Sequence, residues 1–365
     1  MKPLVKECIA RIPAYKPGKP IEELQRELGI TGAIKLASNE NPLGPSPKAM
    51  DAIRESLSGI HRYPDTHAFY LKEKLARKLG FAPDSIIMGN GSDEIIHMIA
   101  QTFLLPGEEV IMGDPTFSFY RIVVAAAGAT EVPVPLKNFS YDLSAMAGAV
   151  SERTKLIFIN TPLNPTGTIV HKDDFETFLG KIPEDVILVM DEAYVEYVTD
   201  RAYPDTLHYV GPGKKVVVLR TFSKIYGLAG LRIGYGIADP SLIACLNKIR
   251  GPFNTNLLAQ TAAAAALDDD EHVRRSLAVN QEGLRYLYAE LEKLGITCIP
   301  TQANFFLARI GEAAGRCYEA LLREGVIVRH MPGGILEEYL RITVGLPSEN
   351  ERLVRALTKV LADLI

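Results

Sequence analysis

The 365-residue chain has no dominant charge of one sign: 40 lysines and arginines stand against 44 aspartates and glutamates, a formal net charge of −4. It lacks the broad basic field with which proteins hold nucleic acid or an anionic membrane surface. Cysteine is sparse. Cys8, Cys245, Cys298 and Cys317 form no Cys-x-x-Cys pair, which argues against zinc-knuckle, ferredoxin and thioredoxin readings and suits free thiols in a reducing compartment. The seven histidines show no His-x-x-x-His spacing, so no dedicated metal site is expected. No apolar run approaches the ~18–20 residues of a membrane span, and Lys2, Lys6 and Glu7 interrupt the segment where a signal peptide needs an apolar core. The expected location is the cytoplasm. Any anion the protein handles must be met by a few placed side chains.

What is present is a long, ordinary globular composition, 47% hydrophobic and 23% charged, enough to bury a core without disulfides. Residues 1–34 are rich in proline and glycine and read as an arm with one helix, Ile21 to Leu28. From 35 to 265, short apolar runs alternate with amphipathic stretches. The runs Ser85–Met88, Val110–Met112, Thr130–Pro133, Leu156–Ile159, Val186–Met190 and Val216–Leu219 are mostly continuous, which predicts strands covered on both faces. That pattern predicts an α/β domain with a mostly parallel sheet between helices. Residues 266–365 change texture and predict a smaller α+β domain with which the arm packs. Its final helix should begin at a capping box made by Ser348 and Glu351.

In open α/β sheets ligands gather at the carboxyl ends of the strands, so the residues after each run are the informative ones. The first run leads into Gly89-Asn90-Gly91-Ser92-Asp93-Glu94, where backbone N–H groups at a helix start can meet an anion. Ser92 or Asp93 would equally serve as an N-cap. Asn164 follows the fourth run within Asn160-Thr161-Pro162-Leu163-Asn164-Pro165-Thr166-Gly167. Asp191 and Tyr194 follow the fifth. A carboxylate ending a buried strand needs a cation, either a protonated ring nitrogen or a neighbouring Arg or Lys. After the sixth come Thr221, Ser223 and Lys224, with Arg232 eight residues further on. The hydroxyls and guanidinium suit a phosphate, and the lysine suits a Schiff base. A lysine, a strand-end carboxylate and several phosphate donors are together what pyridoxal 5′-phosphate requires.

On Asn164-Pro165-Thr166-Gly167, Asp191-Glu192-Ala193-Tyr194, Ser223-Lys224 with Arg232, and Arg341-Ile342-Thr343-Val344-Gly345, the chain resembles the class I/II pyridoxal-phosphate aminotransferases of fold type I along nearly its whole length. The Asn90–Glu94 run, His61-Arg62-Tyr63-Pro64-Asp65, Thr221-Phe222-Ser223-Lys224 and Ala14-Tyr15-Lys16-Pro17-Gly18 look most like the branch acting on histidinol phosphate with 2-oxoglutarate and glutamate. The same scaffold carries aromatic amino-acid aminotransferases and threonine-phosphate decarboxylases, which remain as alternatives.

The resemblance implies that Lys224 carries the cofactor and moves the proton, and that Asp191 pairs with the ring nitrogen. Tyr194 and Asn164 would touch the ring oxygen, and Phe117 would stack on the ring. Thr221, Ser223, Arg232, Ser92 and Asp93 would hold the cofactor phosphate. Tyr63 would reach that phosphate from a neighbouring subunit, implying a homodimer. Arg341, Arg329 and Tyr15 would bind the substrate's acidic group, although His330 stands where the branch often has proline.

Overall fold

The computed structural model describes residues 4–12, 14 and 18–364. After the short strand β1 (Ile34–Lys35) come β2 (Ile86–Gly89), β3 (Glu109–Asp114), β4 (Thr130–Pro135), β5 (Thr154–Asn160), β6 (Ile187–Asp191), β7 (Val216–Thr221) and β8 (Gly234–Ile237). The last seven form one sheet in the order β2-β8-β7-β6-β5-β3-β4. All of its pairings are parallel except the two made by β8.

The continuous apolar runs are explained by the pleat. Alternate residues of one strand enter different cores: Ile157, Ile159, Leu188 and Met190 pack on one face, and Leu156, Phe158, Ile187 and Val189 on the other. Both faces are covered, so neither set of positions can be polar.

Five further strands, β9 (Thr297–Ile299), β10 (Phe305–Arg309), β11 (Val326–Ile327), β12 (Arg329–His330) and β13 (Tyr339–Thr343), complete the chain's sheets. Four of them form an antiparallel sheet, β12-β13-β10-β9, while β11 pairs in parallel with β1. The arm helix Ile21–Leu28 buries Leu24 in a core with Ala33, Ala37, Leu322 and Ile327. The arm and the C-terminal third thus share backbone pairing and side-chain packing. The helix Asp270–Lys293 runs alongside with a divided inner face: His272, Ser276 and Asn280 are buried in its first half, Leu287 and Leu291 in its second.

Two local expectations are corrected. The final helix, Pro347–Leu364, starts a residue before Ser348, and Glu349, not Glu351, reaches back to the Leu346 N–H at 2.7 Å. Proline at the first helical position, where its missing N–H costs nothing, fixes that start. Strand β8 is absent from the sequence reading because Gly234 and Gly236 depress strand propensity. The glycines are there for approach. A Cβ on Gly234 would lie 2.5 Å from the Ser92 nitrogen and 3.0 Å from the Arg220 carbonyl oxygen. Backbone surrounds that point, so nothing yields cheaply. Gly234→Ala is therefore expected to lower stability by more than about 2 kcal/mol, read as the urea midpoint at unchanged m value.

Candidate functional site

Strands β2, β3, β5, β6 and β7 all end on one edge, and their last residues open onto a cavity of about 760 Å³. Register brings Asn160 beside Asp191 across β5 and β6. The cavity lining includes Ser92, Asp93, Phe117, Asn164, Asp191 and Tyr194 from these ends and the loops after them. Thr221, Ser223, Lys224 and Arg232 join from β7 and the segment leading to β8, and Arg329 and Arg341 from the antiparallel sheet.

Asp191 is 4% exposed, and among the described residues it has no lysine or arginine within ion-pair distance. Its Oδ2 accepts from the Tyr120 hydroxyl at 2.6 Å and its Oδ1 from the Ala193 N–H at 3.2 Å. Burial pushes its carboxyl up to about 6, against the Tyr120 hydrogen bond, which holds it down. The neighbouring Glu192 behaves oppositely. Its carboxylate accepts from Arg220 at 2.8 Å, from Tyr203 at 2.8 Å and from Thr206 at 2.6 Å. The ion-pair alternative raised for Asp191 thus belongs to Glu192, one residue on, where the side chain turns to the other face.

Lys224 Nζ donates to the Ser38 carbonyl at 3.2 Å and lies 5.5 Å from the centre of the Tyr194 ring. The Tyr194 hydroxyl accepts from Asn39 Nδ2 at 2.9 Å. Phe117 stands edge-on to Tyr120, ring centres 5.5 Å apart.

The helix Gly91–Phe103 places Ser92 and Asp93 inside its first turn, so neither is the N-cap; Asn90 is, and its side chain makes no capping bond. Arg232, held in left-handed backbone at φ 56°, closes over this turn and bonds Asp93 at 3.0 Å. A Cβ on Gly91 would meet the Arg232 guanidinium at 2.6 Å. Thr221 Oγ1 accepts the Ser223 N–H at 3.0 Å, which fixes the turn leading to Lys224.

Arg329 and Arg341 stand directly opposite each other in the β12–β13 register. His330 leaves that pairing intact, since it continues the ladder opposite Leu340 and bonds the Glu337 carbonyl at 3.1 Å. Arg341 donates to Asn164 Oδ1 at 2.6 Å and to the Ala37 carbonyl at 2.7 Å, its guanidinium 5.3 Å from the Phe305 ring centre. Two guanidiniums across one antiparallel pair repel, and an anion between them relieves that.

Tyr63 does not line this cavity. It is 82% exposed and stacks on Phe253 at 4.6 Å, near the exposed Ile60. Tyr15 lies outside the described residues.

The sequence reading missed Ala37, Ser38, Asn39 and Tyr120. The first three belong to none of the motifs and act through sequence-distant contacts. Tyr120 sits three residues past Phe117, in the first turn of the helix Phe119–Ala127, and its closeness in sequence to Phe117 was the available signal.

The raised carboxyl of Asp191 has a sign. A group whose folded value exceeds its unfolded one contributes stability that is present below about pH 4 and lost as pH rises through about 6. In the ligand-free protein, Asp191→Asn should flatten this slope and raise stability at pH 7.5 by on the order of 1–3 kcal/mol, measured by urea denaturation across pH 4.5–7.5.

A family model described as aminotransferase class I and II matches residues 31–357. The chain is 51% identical to a histidinol-phosphate aminotransferase of Moorella thermoacetica over 99% of this chain and 94% of that one. It is 45% identical to the enzyme of the same name from Caldicellulosiruptor saccharolyticus, over 98% of this chain and all of the relative. Among solved structures, histidinol-phosphate aminotransferase of Sinorhizobium meliloti in complex with pyridoxal-5′-phosphate superposes with a TM-score of 0.92 at 28% identity, covering 99% and 98% of the two chains. An L-threonine-O-3-phosphate decarboxylase of Porphyromonas gingivalis, at 24% identity and a TM-score of 0.77, shares the fold. With Lys224, Asp191 and the paired arginines converging on one cavity, and with relatives this similar over their full length, the chain belongs to the class I and II aminotransferases and, among them, to the histidinol-phosphate aminotransferase family.

Proposed function

We propose that the enzyme transfers an amino group between L-histidinol phosphate and 2-oxoglutarate, giving imidazole acetol phosphate and glutamate in L-histidine biosynthesis, with pyridoxal 5′-phosphate as cofactor. The observation that carries this reading is the pair of facing arginines that line one cavity together with Lys224 and a buried aspartate that has no lysine or arginine within ion-pair distance among the described residues.

The residues present fit the cofactor. Asp191 is a buried carboxylate whose hydrogen-bond partners among the described residues are a hydroxyl and an N–H, so a protonated ring nitrogen would meet an unfilled need. The uncapped first turn at Gly91–Asp93, Thr221, Ser223 and Arg232 form a small, donor-rich cradle suited to a phosphate, and a Cβ at Gly91 would fill it. When bound, the group supplies an aldehyde for amine capture and a conjugated ring that takes up the electron pair of a broken C–H bond.

Each side chain then has a task. Lys224 would hold the cofactor through Nζ, and the same amine would serve as the base that takes a proton from the amine-bearing carbon. Asp191 would keep the ring nitrogen protonated, and Tyr194 and Asn164 would be the partners of the ring oxygen. Phe117 supplies a flat apolar wall; as phenylalanine it stacks without a hydroxyl contact. Arg329 and Arg341 hold the substrate's anion, either the phosphate of histidinol phosphate or a carboxylate of glutamate, since a guanidinium pair accepts both. Tyr15 would join them from the arm.

We also infer a division into an arm of residues 1–34, a cofactor-binding unit of 35–265 and a smaller unit of 266–365. The inferred assembly is a homodimer in which Tyr63 enters the partner's site. The exposed Ile60, Tyr63 and Phe253 form an apolar face that supports it. Among the described residues no helix is long and apolar enough to cross a membrane, which accords with a cytoplasmic enzyme.

Borohydride treatment of the holoenzyme is expected to leave the reduced cofactor on the peptide containing Lys224; an unmodified Lys224 peptide contradicts the assignment. For substrate choice, kcat/KM should be at least about a hundredfold higher for histidinol phosphate than for phenylalanine, because phenylalanine leaves the arginines without the phosphate dianion. A preference for phenylalanine would make this an aromatic aminotransferase with the cofactor chemistry unchanged.

A further inference from the structure

Three consecutive residues, Ala37, Ser38 and Asn39, each hold one side chain of the site. The Ala37 carbonyl accepts from Arg341, the Ser38 carbonyl from Lys224, and Asn39 donates to Tyr194. Asn39 is the only one of the three that acts through its side chain. It is 1% exposed and sits in left-handed backbone at φ 56°, a conformation asparagine tolerates better than most residues. Its polar groups are committed. The N–H donates to Thr343 Oγ1 at 3.0 Å, the carbonyl accepts from Asn304 Nδ2 at 3.0 Å, and Oδ1 accepts from Thr343 Oγ1 at 3.0 Å.

This pattern fixes the direction of the remaining bond. Among the described residues the buried Thr343 hydroxyl has no acceptor other than Asn39 Oδ1, so turning the amide around would leave its hydrogen without a partner. Nδ2 therefore faces Tyr194 and can only donate. The Tyr194 oxygen is thereby made an acceptor at this contact, and its own hydrogen is left for a different acceptor.

We propose that Asn39 is a positioning residue: by donating to the Tyr194 oxygen it commits the tyrosine's hydrogen to an acceptor bound in the cavity. This rests on the reading of Tyr194 as a contact of the cofactor's ring oxygen. A donor whose oxygen already accepts a hydrogen bond is polarised and gives a stronger one. Asn39 thus favours the form of the cofactor in which the ring oxygen is negative. Because Thr343 is two residues from Arg341 on β13, the same amide ties Tyr194 to the strand that carries a substrate arginine.

The test is the pH midpoint at which the bound cofactor's visible absorbance changes in the holoenzyme, measured without substrate. Two replacements keep the backbone conformation: Asn39→Gly deletes the amide, and Asn39→Asp keeps the acceptor for Thr343 while replacing the donor. Tyr194→Phe is expected to raise the midpoint, and each Asn39 variant to raise it by roughly 0.5–1 unit. In the Tyr194→Phe background Asn39→Gly should add nothing, a non-additivity that general loosening of the site would not produce. A wild-type midpoint in Asn39→Gly and Asn39→Asp, or a shift that persists undiminished in the Tyr194→Phe background, overturns the proposal while leaving the role of Tyr194 standing. A wild-type midpoint in Tyr194→Phe overturns both.

Discussion

The site depends on one constraint: a carboxylate buried at the end of a central strand without a cation of its own. Asp191 and Glu192 are adjacent, acidic and nearly inaccessible, and burial penalises both. The chain resolves this cost at Glu192 with Arg220 and two hydroxyls, and leaves it open at Asp191. Because successive side chains of a strand point to opposite faces, one aspartate–glutamate pair yields a closed internal ion pair and an exposed demand for positive charge. A site that needs its ligand's charge to complete it has a built-in preference for a cationic ring, and the same demand makes the ligand-free protein less stable as the carboxyl ionises.

The second organising element is the segment that runs from β1 to Asn39. It leaves the core it shares with Leu322 and Ile327, lines the cavity with Ala37, Ser38 and Asn39, and bonds Arg341, Lys224 and Tyr194 in turn. Those partners come from the antiparallel sheet, from the turn after β7 and from the turn after β6. A segment that touches all three, two through its backbone and one through the Asn39 side chain, keeps their spacing. The buried polar half of the helix Asp270–Lys293 serves the same region, since Ser276 accepts from Asn41 and Asn280 donates to the Ala303 carbonyl.

Much of this was legible in the sequence where chemistry follows local pattern. Continuous apolar runs located six of the seven strands of the main sheet, because burial on both faces leaves a mark that survives without alignment. The residues read just past those strands, from Ser92 and Asp93 through Asn164, Asp191 and Tyr194 to Thr221, Ser223, Lys224 and Arg232, all line the cavity. What was not legible depends on contacts between distant parts of the chain. Asn39 meets Tyr194 155 positions away and Thr343 304 away, and nothing local in Ala37-Ser38-Asn39 announces either. Strand β8 failed for a different reason: its glycines are selected by the close approach of Ser92, which overrides strand propensity. Even the exchange of roles between Asp191 and Glu192 needed the strand's phase, fixed only once the sheet is seen.

The near-neutral charge of the chain takes on meaning in this geometry. A uniformly positive cavity would attract anions but could not tell one phosphate from another. Here the positive groups are separated: Arg232 closes over the helix start beside β2, while Arg329 and Arg341 face each other across the antiparallel sheet, with Asp191 and Asp93 also lining the cavity. A cavity of about 760 Å³ is large enough for a cofactor and a substrate together. Interspersed carboxylates raise the cost of placing an anion anywhere but at the two arginine positions. On the proposed reading, discrimination between a cofactor phosphate and a substrate anion would follow from where few charges stand, and a chain with a net charge of −4 would need no broad positive field for it.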